Sequence, residues 1–113
     1  PMLARCSSAS IQGMEALPVT VEVDLAPGLP GLQLVGLPDA AIQESRERVR
    51  AALRNSGFRG PLVRVIVNLA PADRRKEGPA FDLPIALALL VASGQLDPQK
   101  LEGLCCAGEL GLD

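Results

Sequence analysis

The sequence predicts an α+β domain with a mixed sheet and two main helices. Residues 17–25 and 62–69 alternate apolar and polar side chains, a pattern typical of half-buried strands. Residues 82–93 are apolar on nearly every side and therefore predict a buried helix. A length of 113 residues fits one domain and leaves little room for two, so residues 1–113 are predicted to fold as a single domain.

Three strands are predicted ahead of the first helix. Residues 2–12 form the first strand, with weak alternation, and Gly13 follows as a turn. Residues 17–25 form the second strand and residues 32–35 a short third one. Between them, residues 27–31 contain two prolines and two glycines, which indicates a tight turn.

The first helix is predicted to begin after Asp39 and to run to about Asn55. The Asp39 carboxylate can accept hydrogen bonds from unpaired backbone N–H groups, and Gly57 is a typical C-terminal stop. Glu44 and Arg48 are spaced to form an i,i+4 ion pair on this helix. A right-handed crossover from the third to the fourth strand is expected through this helix.

The second half of the chain continues the alternation of strands and helices. Ile66 adds an apolar residue to the outer face of the strand at residues 62–69, which favours a central place in the sheet. Asp82 is predicted to cap the second helix, and residues 104–110 are predicted to form a last strand. A strand so near the chain end predicts a sheet that is truncated at the C-terminus.

The composition favours a cytoplasmic protein. The three cysteines are an odd number, and adjacent Cys105 and Cys106 suit a buried strand better than a disulfide. No segment has the pattern of a signal peptide or the length of a membrane span. We therefore expect no membrane partner.

The charge is unevenly distributed, although the net charge is only −2. Residues 46–76 hold nine of the eleven basic residues and two of the thirteen acidic ones. DNA phosphates are candidate partners for this basic stretch, without base stacking because Tyr and Trp are absent. Subunit contacts and a solvated helix face remain alternatives. The candidate contact residues are Arg46, Arg50, Arg54, Arg74, Arg75 and Lys76.

Several kinds of chemistry are excluded for this chain. It has no P-loop motif, and without histidine it cannot form a Ser-His or Cys-His pair. Its two lysines, Lys76 and Lys100, lie in polar segments, which disfavours the desolvated lysine that a Ser-Lys dyad needs. We expect no catalytic residue, metal, cofactor or small-molecule substrate in these residues.

The most distinctive segment is the loop that contains Gly78 and Pro79 and leads to Asp82. One interpretation is a Gly-Pro corner before a buried helix. The other is a helix N-terminus presented to an anion or a partner, although Asp82 would compete for the same N–H donors.

Four motifs in a fixed order carry a family resemblance that extends over essentially the whole chain from Met2. They are Gly-Leu-Pro-Gly-Leu at 28–32, Val-Gly-Leu-Pro-Asp-Ala-Ala at 35–41, Val-Asn-Leu-Ala-Pro-Ala-Asp at 67–73 and Lys-Glu-Gly-Pro-Ala-Phe-Asp-Leu-Pro at 76–84. Together they resemble the N-terminal domain of the magnesium-chelatase-like AAA+ ATPases of the YifB and ComM type.

The resemblance implies a fold like ribosomal protein S5 domain 2, which also occurs in the Lon protease domain. It implies an AAA+ module downstream that uses ATP and magnesium, a hexameric assembly, and ATP-driven DNA branch migration in natural transformation. Two alternative roles remain: an accessory domain of a metal-inserting chelatase, and a degenerate Lon-like peptidase domain used as an interaction module.

The comparison with Lon-type domains also implies that this chain is not a peptidase. Ala80 stands where the Lon-type loop has its nucleophilic serine, and a methyl group cannot attack a peptide carbonyl. The absence of histidine and the polar surroundings of both lysines lead to the same expectation.

Overall fold

The computed structural model describes residues 3–60 and 62–113 and confirms the α+β class. Four strands and two main helices lie in these residues, with a further short helix ahead of the first main one. The strands are β1 (Leu3–Gln12), β2 (Glu15–Ala26), β3 (Gly31–Val35) and β4 (Arg64–Ala70). The helices are α1 (Ala40–Gln43), α2 (Ser45–Asn55) and α3 (Asp82–Ala92), with 3-10 turns at Pro79–Phe81 and Pro98–Leu101. Met2, the predicted start of the first strand, lies outside the described residues.

The sheet is mixed, and its strand order is β1-β2-β4-β3. β2 is antiparallel to both of its neighbours, whereas β3 and β4 are parallel. The central place of β4 and the parallel pairing across the first helical connection confirm the sequence prediction. β4 begins at Arg64, two residues later than predicted. Pairing starts there because Arg64 lies opposite the last residue of β2 and the first residue of β3.

The helices cover one face of the sheet and enclose an aliphatic core. Alternate residues of the strands are buried on that face, among them Val21, Val67 and Leu69. α3 packs against β1, β2 and α2, and Ile85 and Ala88 in it are fully buried. The prediction of a buried, uniformly apolar helix is therefore confirmed, and the two-layer arrangement is consistent with an S5 domain 2-like fold.

The opposite face of the sheet carries a polar network. Arg5 Nε donates to Glu22 Oε2 at 3.0 Å, and Asn68 Nδ2 donates to Glu22 Oε1 at 2.8 Å. The hydrogen bond from Asn68, supported by Arg5, lowers the pKa of Glu22. The carboxylate thus links β1, β2 and β4 across three neighbouring strands.

The first helix is interrupted at Glu44, where a single helix was predicted. Arg48 Nη2 donates to the Ala41 carbonyl at 3.0 Å, and Arg46 Nε donates to the Gln43 carbonyl at 3.2 Å. In a continuous helix these two carbonyls would accept from backbone N–H groups four residues on. Glu47 N bonds to the Glu44 carbonyl instead, at 3.2 Å, so the arginine side chains replace part of the helical ladder.

The predicted last strand at residues 104–110 is wrong. Its only ladder contact in the described chain is a parallel bridge between Ser7 and Cys105, with Cys106 N donating to the Ser7 carbonyl at 2.8 Å. Beyond this bridge the backbone leaves β1, because Gly108 N donates to the Ala80 carbonyl at 2.8 Å. Contacts with the start of α3 therefore compete successfully with strand pairing.

The cysteines also depart from the prediction of a buried pair. Cys105 is exposed and Cys106 half-buried, while Cys6 on β1 is the buried thiol. Burial, together with the neighbouring Cys106 thiol, raises the pKa of Cys6 to about 12. Cys6 therefore stays protonated at neutral pH and acts as a small core residue.

Candidate functional site

Two motif loops, one after β3 and one after β4, are held together by main-chain hydrogen bonds. Lys76 N donates to the Leu37 carbonyl at 3.0 Å, and Asp39 N donates to the Lys76 carbonyl at 3.1 Å. The Asp39 carboxylate joins both loops: Oδ1 accepts from Ile42 N and Oδ2 from Gly78 N, each at 2.9 Å. The predicted N-cap role of Asp39 is confirmed, and the same side chain also fixes the position of the second loop.

Lys76 is completely buried, so the expectation that its polar segment leaves the lysine solvated is wrong. Its Nζ donates to the Gly36 carbonyl at 2.8 Å and to the Pro71 carbonyl. Burial and, secondarily, the Arg74 charge lower the pKa of Lys76. The ammonium group donates to two loop carbonyls and contacts no hydroxyl group among the described residues, so it does not form a Ser-Lys dyad with them. Because the side chain is buried, Lys76 is also no longer a candidate DNA contact.

Asp82 does not cap α3, contrary to the prediction. The 3-10 turn at Pro79–Phe81 precedes it, and its carboxylate is fully buried against Arg48 of α2. Arg48 Nε lies 2.5 Å from Asp82 Oδ2 and Nη2 lies 3.1 Å from Oδ1. Leu110 N also donates to Asp82 Oδ2, at 3.1 Å. The carboxylate therefore joins α2, α3 and the C-terminal segment.

Arg48 forms this buried pair and a weaker one. The hydrogen bond that Arg48 donates to Asp82 is the main reason why the pKa of Arg48 is raised. The predicted i,i+4 pair with Glu44 is confirmed at 3.6 Å, with the Glu44 side chain largely in solvent. Only that surface pair was predicted for Arg48 from the sequence, since its pairing with Asp82 joins distant residues.

Ala80, which the family resemblance aligns with the Lon-type serine, is exposed on the 3-10 turn. Gly78 precedes this turn with a positive φ of 91°, and Pro79 begins it. Leu83 N, at the start of α3, donates to the Gly108 carbonyl at 3.0 Å. This backbone N–H is therefore already bonded to a carbonyl of the chain and is not free to bind an anion. The contact favours the interpretation of the loop as a Gly-Pro corner before a buried helix.

The predicted arginine contacts lie on two different elements. Arg50 and Arg54 are exposed on α2, and neither side chain has a hydrogen bond or ion pair among the described residues. Arg46 is half-buried and donates to Gln43. Arg74 donates to the Pro18 carbonyl, and exposed Arg75 accepts a bond from Gln12 through its own carbonyl at 3.1 Å, beside the β1–β2 hairpin.

The structure also contains a cavity of about 380 Å³ that the sequence analysis did not identify. It lies between α2 and the start of β3, next to Arg50 and Arg54. The only signal in the sequence was Phe58 and Leu62, two large apolar residues within a short connection. Among the described residues, no group of three or more potential metal ligands occurs, and no helix is long and apolar enough to cross a bilayer.

Taken together, the mixed four-stranded sheet, the helices on one of its faces and the two locked loops define an α+β domain consistent with the S5 domain 2-like fold. Residues 21–113 match the family model described as "Subunit ChlI of Mg-chelatase". The chain belongs to this family, as the four sequence motifs predicted.

Curated relatives support the same assignment. The chain is 53% identical to "Uncharacterized protein YifB" of Escherichia coli over 88% of its own length and 20% of the relative's. It is 49% identical to "Competence protein ComM" of Haemophilus influenzae, over 97% of this chain and 22% of that protein. An uncharacterised Mycobacterium tuberculosis protein is 44% identical over 98% of the chain and 22% of its own length. The chain thus spans about a fifth of the length of these relatives.

Proposed function

We propose that this chain is the non-catalytic N-terminal domain of a cytoplasmic, magnesium-chelatase-like AAA+ ATPase that drives DNA branch migration. The observation that carries the proposal is the 49% identity to a protein named for competence, over nearly the whole chain. In this proposal the rest of the protein binds ATP and magnesium. The present domain helps to assemble the hexamer and to guide DNA.

The exposed arginines supply a physical basis for DNA guidance. Arg50 and Arg54 lie four residues apart on one helix, so their guanidinium groups project from the same side. Neither is paired with a carboxylate among the described residues, and Arg75 is also exposed. Cations of this kind bind phosphates without reading sequence.

The DNA role predicts a salt-dependent defect when these charges are removed. In the full-length protein, Arg50→Gln, Arg54→Gln and Arg75→Gln together should weaken DNA binding at least about tenfold at low salt. The slope of log K against log salt should fall by about 0.9 for each phosphate that the variant no longer neutralises. Fluorescence anisotropy with labelled duplex DNA at several salt concentrations measures both quantities.

The matched control is Arg5→Gln, because Arg5 is on the sheet face opposite the helices and is paired with Glu22. The Arg5→Gln variant should have the same DNA affinity and the same salt slope as the unmodified protein. If the triple variant behaves like this control, the DNA role of the domain is wrong.

A second candidate function follows from the description of the family itself. The words "Mg-chelatase" favour an accessory domain of a motor that inserts magnesium into a porphyrin. Metallation of a porphyrin by the full-length protein would support this alternative over DNA migration. The third role, a degenerate Lon-like interaction module, fits the exposed Ala80 and would exclude any peptide cleavage.

A further inference from the structure

The cavity beside α2 has the size and lining of a binding site for an apolar group. Its volume of about 380 Å³ lies within the range usual for ligand pockets, roughly 300–1,000 Å³. Aliphatic and aromatic side chains from both layers form its wall, so it opens between the helices and the sheet. The residues that define it are Pro30, Leu32, Leu53, Phe58, Leu62 and Leu89.

The same cavity borders an unpaired sheet edge. β3 is the last strand in the order β1-β2-β4-β3 and, within residues 3–60 and 62–113, pairs only with β4. No residue of Gly31–Val35 forms a backbone hydrogen bond to anything but β4 in the described part of the chain. Such an edge can accept a further extended strand. Gly31 and Leu32, at its start, also line the cavity.

The charge around the cavity defines the chemistry of its occupant. Arg50 and Arg54 are its charged lining residues, and none of the described residues that line it is acidic. Leu62, in the lining, and Leu29, next to the start of β3, are 87% and 88% exposed, so the rim offers apolar surface as well. An occupant that complements this rim carries an aliphatic side chain close to carboxylates.

We propose that the β3 edge and the adjoining cavity form a docking site for an extended, acidic and aliphatic segment of another protein. The segment pairs with β3, inserts an aliphatic side chain between α2 and the sheet, and places carboxylates on Arg50 and Arg54. Arginine binds a carboxylate through parallel N–H groups, which fixes the register of the added strand. An unstacked DNA base fits less well, because the cavity side chains other than the arginines offer no hydrogen-bonding groups to its edges.

This docking site goes beyond the proposed function, but it shares Arg50 and Arg54 with the DNA contacts. The decisive variant therefore spares both arginines: Phe58→Gln combined with Leu62→Gln, which removes apolar surface at the rim of the cavity and leaves the net charge unchanged. Both side chains are partly or largely exposed, at 41% and 87%, so the fold should tolerate the change. Circular dichroism of the variant checks the fold directly.

The probe is a short blocked peptide in which leucine is flanked by glutamates at alternate positions, with threonines between them. Isothermal titration calorimetry should show binding to the full-length protein with a dissociation constant on the order of 100 µM, as expected for a small transient interface. The Phe58→Gln/Leu62→Gln variant should bind about tenfold more weakly, and so should Arg50→Gln/Arg54→Gln. N-methylation of alternate peptide amides should abolish binding, because the added strand then loses its donors to β3.

Arg75→Gln is the matched charge control, since Arg75 lies beside the β1–β2 hairpin, and it should leave peptide affinity unchanged. The proposal is overturned if the peptide does not bind. It is also overturned if the peptide affinity is unchanged both by N-methylation and by the Phe58→Gln/Leu62→Gln substitutions. It is also overturned if sedimentation shows a dimer that the rim substitutions dissociate, since a second copy would then occupy the site. The DNA affinity of the Phe58→Gln/Leu62→Gln variant should be unchanged, because both arginines are kept. Peptide binding and DNA binding can therefore fail independently, which distinguishes a wrong docking site from a wrong DNA role.

Discussion

Replacing Asp82 with alanine is expected to lower the free energy of unfolding by about 3–5 kcal/mol. The Asp82 carboxylate is fully buried and accepts hydrogen bonds from Arg48 and from Leu110 N. Its removal leaves the Arg48 guanidinium, which is largely buried, without its counter-charge. It also releases the C-terminal segment from α3. Urea denaturation of this chain, followed by circular dichroism, measures the loss.

Two further variants separate the buried pair from ordinary surface electrostatics. Glu44→Gln removes the outer partner of Arg48, whose side chain is 72% exposed, and should change stability by less than about 0.5 kcal/mol. Arg48→Met combined with Asp82→Leu removes both buried charges and should recover much of the stability lost in either single variant. Equal stability of Asp82→Ala and Glu44→Gln would contradict the role assigned to the buried pair.

Replacing Gly36 with alanine is expected to lower the free energy of unfolding by about 3 kcal/mol or more. Gly36 has a positive φ of 104°, which by itself strains an L-residue by about 1–2 kcal/mol. A Cβ atom at this position would lie 2.3 Å from the Leu69 carbonyl oxygen, so the backbone of β4 or of the loop must move. That movement also disturbs the Gly36 carbonyl that accepts from Lys76. Thermal unfolding of the variant measures the effect.

Gly57→Ala provides the matched control for backbone strain alone. Gly57 also has a positive φ, of 88°, but a Cβ atom there would meet nothing within 4 Å. Its loss of stability should stay within about 1–2 kcal/mol, the strain of the left-handed conformation without a clash. If both glycine variants lose the same stability, the close approach of Gly36 to β4 is not what requires glycine.

The elements that the sequence predicted well are those with a local signal. Alternation of Val19, Val21 and Val23 specified the buried face of β2, and the uniform apolarity of α3 specified its burial. Asp39 was recognised as an N-cap because the capping bond to Ile42 spans only three residues. The family motifs added the correct class of fold, which the spacing of residues alone could not supply.

The features that the sequence did not predict depend on contacts between distant residues. Lys76 lies in a charged stretch, and only the meeting of two loops shows that its ammonium bonds to Gly36 and Pro71. Asp82 stands where a cap is common, and its pairing with Arg48 bridges 34 positions. The cavity arises where Leu32, Phe58 and Leu89 meet across the two layers. None of these arrangements has a local pattern.

The most direct test of the proposed role is the movement of a four-way DNA junction by the full-length protein in the presence of ATP and magnesium. We expect ATP-dependent migration that becomes slower when Arg50, Arg54 and Arg75 are neutralised, with unchanged ATP hydrolysis in the absence of DNA. A protein that leaves the junction in place, hydrolyses ATP at the same rate with and without DNA, and inserts magnesium into a porphyrin would contradict the role in DNA migration.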